Sequence, residues 1–285
     1  VRVAWSIDAQ GRYEVQARKN ERGPWRRVRT YEVEDEITPL RFHPDGQRIF
    51  LKTNHGRDLS RLALLDLASG VESNVDADPL DRVLAYIDFR AALIEGAPVA
   101  RATATGMAAV TAALLCHLRQ GDHVIASRAM FGGCRYVIED VLPRYGITST
   151  LVDGTHLEAW RQAVQPTTKV LFLETPANPT LEIIDLRAVA EIAHKAGARL
   201  IVDNVFATPV LQRPMEYGAD IVVYSATKHI DGQGRCLGGA ILCDEKFLAD
   251  HLLSYIRNTG PSLSPFNAWV LLKGLETLPL RVRVQ

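Results

Sequence analysis

Lys228 lies in the run Tyr224-Ser-Ala-Thr-Lys-His-Ile230, twenty-five residues after Asp203 in Leu200-Ile-Val-Asp-Asn204. A lone lysine in a Ser/Thr-rich turn after a strand is ordinarily a surface residue. Its company reverses that reading. A buried amine can form a Schiff base with an aldehyde cofactor, and a strand-end carboxylate can keep a ring nitrogen protonated. The hydroxyls of Ser225 and Thr227 can donate to a phosphate. Thr105-Gly106-Met107 adds a second phosphate donor set, because it opens a helix and a glycine lets the backbone N–H groups of a helix N-terminus approach a dianion. A lone Thr-Gly-Met is only a helix start, but with Asp203, Ser225, Thr227 and Lys228 it describes a pyridoxal phosphate site.

Such a site needs elements that bring these residues to one edge. From about residue 85 the chain alternates short apolar runs with amphipathic segments. Runs 123–127, 169–173, 199–203 and 220–224 are nearly continuous in Val, Ile and Leu, as expected of strands buried on both faces. Met107 to Gln120 repeats apolar residues at helical spacing and stops at Gly121; Leu186 to Ala196 follows the N-cap candidate Asp185 and stops at Gly197. Strand, helix, strand in succession predicts a mostly parallel sheet in a three-layer α/β sandwich over residues 88–285. Ligands of such sheets bind beyond the carboxyl ends of the strands. Asp203, Ser225 and the segment Ala177-Asn178-Pro179 therefore converge on one rim.

Residues 1–82 read differently. Val3, Trp5 and Ile7 alternate with polar residues, Phe42-His-Pro-Asp-Gly46 turns into Arg48-Ile-Phe-Leu-Lys-Thr-Asn54, and Leu62 to Leu67 ends at Ala68-Ser-Gly70. Period-two alternation closed by such turns predicts antiparallel β-structure. The pattern resembles a blade of the β-propeller of prolyl-oligopeptidase-like peptidases. There is room for at most two blades, too few to close a ring, and no G-x-S-x-G nucleophile motif follows.

Thirty-three basic residues balance thirty-three acidic ones, so no overall field points to nucleic acid or a membrane surface. The densest basic cluster, Arg26, Arg27 and Arg29, reads as a solvated strand face. Cysteines 116, 134, 236 and 243 lack C-x-x-C spacing and paired histidines, which argues against a zinc site and a disulfide framework. No metal is expected. No apolar stretch approaches the roughly 18 residues of a membrane span, and a cytoplasmic location is expected.

The motifs Ala102-Thr-Ala-Thr-Gly-Met107, Phe131-Gly132, Glu174-Thr-Pro-Ala-Asn-Pro179, Val202-Asp-Asn204, Ser225 to Arg235, Gly260 to Trp269 and Leu272 to Thr277 carry a resemblance. Over residues 88 to 283 the chain resembles the Cys/Met metabolism family of fold-type I pyridoxal phosphate enzymes. Ile230-Asp-Gly-Gln-Gly-Arg235 leans toward its sulfhydrylase branch. The resemblance implies Lys228 as the cofactor-bearing and catalytic amine, Asp203 on the pyridine nitrogen, and Gly106, Met107, Ser225 and Thr227 around the phosphate. It places Asn178 near the ring oxygen and Phe131 on the ring face, where many relatives carry a tyrosine. It further implies an amino-acid substrate, O-succinylhomoserine or O-acetylhomoserine, with sulfide giving homocysteine in methionine biosynthesis. Related β- and γ-elimination chemistry, or a remnant that at most binds the cofactor, stays open. The family's dimers or tetramers share active sites through an N-terminal Tyr-x-Arg element, and a C-terminal domain carries the carboxylate-binding arginine. Neither is matched here, so the chain, which begins with Val1, reads as truncated or fused relative to the family.

Overall fold

The computed structural model describes residues 2–20, 22–33, 35, 37–43, 45–53, 55, 61–74 and 79–285. They divide into two units, Val1–Tyr86 and Ile87–Gln285, with the division inside the helix Pro79–Glu95.

In the first unit β1 (Arg2–Ile7), β2 (Tyr13–Arg18) and β3 (Arg26–Tyr31) form one antiparallel sheet. A second antiparallel sheet orders β4 (Ile37–Phe42), β5 (Arg48–Thr53), β6 (Arg61–Asp66) and β7 (Glu72–Asn74) in sequence. Aspartates shape three of the turns. Asp8 accepts from the N–H groups of Gln10 and Arg12, Asp45 from Gln47 and Arg48, and Asp66 from Ala68 and Ser69, all at 2.7–3.1 Å. Val15, Tyr31, Leu51 and Leu65 join the two sheets in one core. Trp5 and Ile7 of the edge strand β1 are exposed. In the arginine cluster Arg26 and Arg27 are exposed, as expected of a solvated strand face, and each arginine also has a partner: Arg26 donates to Leu67 O, Arg29 to Gly70 O at 2.9 Å, and Arg27 to Glu14 at 3.0 Å.

The second unit is built on seven strands: β8 (Val99–Thr103), β9 (His123–Ser127), β10 (Thr148–Val152), β11 (Thr168–Glu174), β12 (Arg199–Asp203), β13 (Ile221–Ser225) and β14 (Gly239–Cys243). Their order is β10-β9-β11-β12-β13-β14-β8. The first five pair parallel, and β14 runs antiparallel to both of its neighbours. The mostly parallel α/β fold expected from the alternation is therefore present. Val124, Phe172, Ile201 and Val223 share one core cluster with the helix Gly106–Leu115, while the residues between them in the strands, among them Ile125, Leu171, Val202 and Val222, are also fully buried. Burial on both faces explains the unbroken apolar runs.

Helix boundaries depart from the periodic pattern in one place. The helix beginning at Gly106 ends at Leu115 with Cys116 as its C-cap, five residues short of Gln120. The following residues turn instead: Arg119 N–H donates to Asp122 Oδ2 at 2.7 Å, and His123 N–H to Thr167 O at 2.9 Å, which starts β9. Leu118 keeps its apolar place in the core without being helical. Asp185 does cap the helix Leu186–Lys195, accepting from Ala188 N–H at 3.1 Å. Among the described residues no helix is long and apolar enough to cross a membrane, and no group of three His, Cys, Asp or Glu side chains could hold a metal ion. All four cysteines are free thiols.

Candidate active site

The carboxyl ends of β11, β12 and β13 and the start of the helix Gly106–Leu115 surround a cavity of about 260 Å³. All eight residues singled out in the sequence line it: Gly106, Met107 and Phe131 from one side, Asn178 and Asp203 from the strand ends, and Ser225, Thr227 and Lys228 from the turn after β13.

The helix start is held close to β13. Thr105 caps it by accepting from Ala108 N–H at 3.0 Å. A Cβ built on Gly106 would lie 2.6 Å from Ser225 Cβ and 2.7 Å from its Cα, so only glycine lets the helix N-terminus and the Ser225 hydroxyl face the same volume. Thr227 is tied across the turn to Gly238: its Oγ1 accepts from Gly238 N–H at 3.1 Å and donates to Gly238 O at 3.3 Å, a long bond that a phosphate acceptor would compete with. The N-terminal dipole, the free backbone N–H groups and two hydroxyls suit a phosphate.

At the opposite end the β11–β12 register pairs Glu174 with Asp203. Both are buried. Asp203 Oδ1 accepts from Val205 N–H at 3.1 Å, whereas Oδ2 is met only by the Cys134 thiol at 3.6 Å, a weak donor. Burial raises the Asp203 carboxyl to about 6, against those hydrogen bonds. Glu174 Oε2 accepts from Phe131 N–H at 2.6 Å, and Oε1 has no partner among the described residues. Burial first and the neighbouring Asp203 charge second raise Glu174 to about 7. The Cys134 thiol is pushed up by the same burial and by both carboxylates, which makes it inert as a nucleophile. A buried carboxylate with one oxygen so poorly satisfied fits a cationic N–H donor. The residues present thus fit pyridoxal phosphate at both of its ends.

Glu174 is the member of this site that spacing alone did not single out. It stands in a quoted motif, but its role depends on β11 running to residue 174, one residue beyond the apolar run. One expectation is corrected. Lys228 is exposed at the rim, and so is Asn178, because both sit on turns beyond the strand ends. Lys228 is therefore not the buried amine that the sequence reading expected. Phe131 is half exposed, with its backbone rather than its ring fixed by Glu174.

These carboxyls set the pH dependence of the cofactor-free chain. A carboxyl whose folded value is raised keeps its proton in the folded state after the unfolded chain has released it. Stability therefore falls as pH rises from about 4 to about 7 and levels off above. Asp203→Asn removes one buried charge, a change on the order of 2 kcal/mol at pH 8. The variant is expected to melt several degrees above the parent at pH 8 and to lose less stability between pH 4 and 8. Identical melting-temperature profiles for the two chains would show that Asp203 carries no such cost.

Residues 83–285 match the model of the Cys/Met metabolism PLP-dependent enzyme family. The chain is 45% identical over 242 residues to O-succinylhomoserine sulfhydrylase of Mycobacterium tuberculosis, covering 85% of this chain and 60% of that protein. It is 42% identical over 189 residues to cystathionine gamma-lyase of Bacillus subtilis, covering 66% and 50%. The crystal structure of metB from Corynebacterium glutamicum superposes with a TM-score of 0.69 at 34% identity, covering 75% of this chain and 55% of that one. The chain thus spans between half and three fifths of the length of these relatives. Pyridoxal 5'-phosphate is the cofactor of this family, the site built above fits it, and this chain belongs to the Cys/Met metabolism PLP-dependent enzyme family.

Proposed function

We propose that this chain carries the cofactor-binding part of an enzyme that replaces the acyl group of an O-acylated homoserine, O-succinylhomoserine first, with sulfide to give homocysteine. The observation that carries this reading is the 45% identity with a protein named for that reaction, extending over 85% of the chain. The phenylalanine at position 131 agrees with it. A phenyl ring offers stacking area but no exchangeable proton, so proton transfer falls to Lys228.

When bound, pyridoxal phosphate supplies an aldehyde that captures amines and a ring that takes up the electron pair released at the substrate α carbon. Gly106 and Met107 N–H groups with the Ser225 and Thr227 hydroxyls would hold the phosphate. Asp203 would accept a hydrogen bond from the ring nitrogen through Oδ2 and so favour its protonated form. A charged Asp203 favours the protonated form of its neighbour Glu174, since two adjacent buried carboxylates repel. Phe131 would offer its ring as a stacking surface, and Asn178 would lie on the side of the ring oxygen. Lys228 would attach the cofactor through Nζ, and the same amine would serve as base for the α proton and as acid for the departing acyl group. Sharing of the site between subunits of a dimer or tetramer belongs to the same reading. The lyases among the relatives, at 38% to 42% identity, support elimination as a second reading.

The test is to load the full chain with pyridoxal phosphate and assay homocysteine from O-succinylhomoserine with and without sulfide. Sulfide-dependent homocysteine that drops roughly 10²- to 10⁴-fold in Lys228→Ala is the expected result. Ammonia and a keto acid formed equally well without sulfide would replace this reading by elimination. Gly106→Ala, whose Cβ collides with Ser225, is expected to lose cofactor on dialysis that the parent retains. Equal retention, read from the visible absorbance band, would remove the phosphate role from that helix start.

A further inference from the structure

The run Ile230 to Arg235, read in the sequence as a branch marker, is occupied with its own closure. Asp231 is buried and accepts from Gln233 N–H at 3.2 Å, Arg235 N–H at 2.7 Å and Arg235 Nε at 2.9 Å, while Arg235 Nη2 donates to Asp231 O at 3.0 Å. Arg235 therefore spends its donors on its own loop. Gly232 N–H donates to Lys228 O at 2.7 Å, and Asp231 N–H to Ala226 O at 2.9 Å, so this loop is closed directly onto the lysine's backbone.

A second arginine holds the loop from outside. Arg281, in the helix Pro265–Val284, donates through Nη1 to His229 O at 2.7 Å and through Nη2 to Ile230 O at 3.2 Å and Gly274 O at 2.8 Å; Nε donates to Thr277 Oγ1 at 3.1 Å. Two glycines make room for it. Gly232 has φ +75°, and a Cβ there would overlap the Arg281 guanidinium; a Cβ on Gly274 would overlap Ile230 O. The helix and the loop meet backbone to backbone, with a planar fork bridging carbonyls of both.

We propose that Arg281 is a positioning residue for Lys228: seated by Gly232 and Gly274, its guanidinium holds residues 229–232 against the helix Pro265–Val284 and so sets where the Lys228 amine stands in the cavity. The Lys228 side chain itself is exposed. The inference rests on the reading of Lys228 as the cofactor-bearing amine.

It is tested by incubating the full chain, Arg281→Met, Arg281→Lys, Gly232→Ala and the Gly232→Ala/Arg281→Met pair with pyridoxal phosphate. Aliquots are quenched with borohydride, and label is quantified at each lysine by peptide mass mapping. In parallel the pH midpoint of the bound-cofactor absorbance and the melting temperature are recorded. Labelling of Lys228 is expected to slow roughly tenfold to a hundredfold in Arg281→Met and Gly232→Ala and less in Arg281→Lys, with a displaced pH midpoint. The pair should be no slower than its slower member, because both changes break one contact. Labelling of surface Lys246 serves as the control and should not change. Parental rate and midpoint in Arg281→Met overturn the proposal; should that variant not fold, the same result in Arg281→Lys and Gly232→Ala overturns it. A parent chain that takes label elsewhere than Lys228 refutes instead the cofactor assignment beneath it.

Discussion

Two carboxyl groups buried side by side at the ends of adjacent parallel strands are the constraint around which this site is arranged. The β11–β12 register leaves Glu174 and Asp203 no choice but proximity. Among the described residues neither has a cationic side chain as a hydrogen-bond partner; the donors they find are backbone N–H groups, among them those of Val205 and Phe131, and one thiol. Burial without a cation raises both toward neutrality. In energetic terms the folded chain holds an electrostatic cost that a bound cation relieves, and relief of that kind strengthens binding of exactly such a group.

The other end of the cavity has the opposite polarity. Helix dipole, backbone N–H groups and hydroxyls gather there, and they do so because Gly106 lets a helix start touch the end of β13. A ligand with a dianion at one end and a protonated ring at the other is oriented by this gradient before any covalent bond forms. Lys228 stands between the two poles on a turn, and the structure around it is backbone rather than side chain: carbonyls of residues 228 to 230 are each held by a donor.

Much of this was legible in the residues. Long apolar runs identified β9, β11, β12 and β13 to within a residue, because the middles of strands buried on both faces are apolar and the polar residues fall at their ends. Thr105 and Asp185 announced their helices by the capping chemistry that only short oxygen-bearing side chains perform. Residue type and strand position brought Asp203, Ser225, Thr227 and Lys228 to one rim, and they do line one cavity, whereas Phe131 came only with the family resemblance. Helical periodicity overran at Leu118, since an apolar residue every third or fourth place marks a buried segment whether or not it stays helical.

What the chain's own residues determined is the kind of chemistry on offer: an amine, a strand-end carboxylate and a glycine-opened helix start can be named wherever they later stand. Tertiary structure alone decided which groups share an environment. Glu174 becomes Asp203's neighbour only through strand register, Lys228 is exposed only because its turn overshoots the sheet, and Arg235 is spent on Asp231 while Arg281 reaches fifty residues back to the lysine's loop. Register, burial and contacts between distant segments are set by packing of the whole sheet and its helices, and local sequence carries no measure of them.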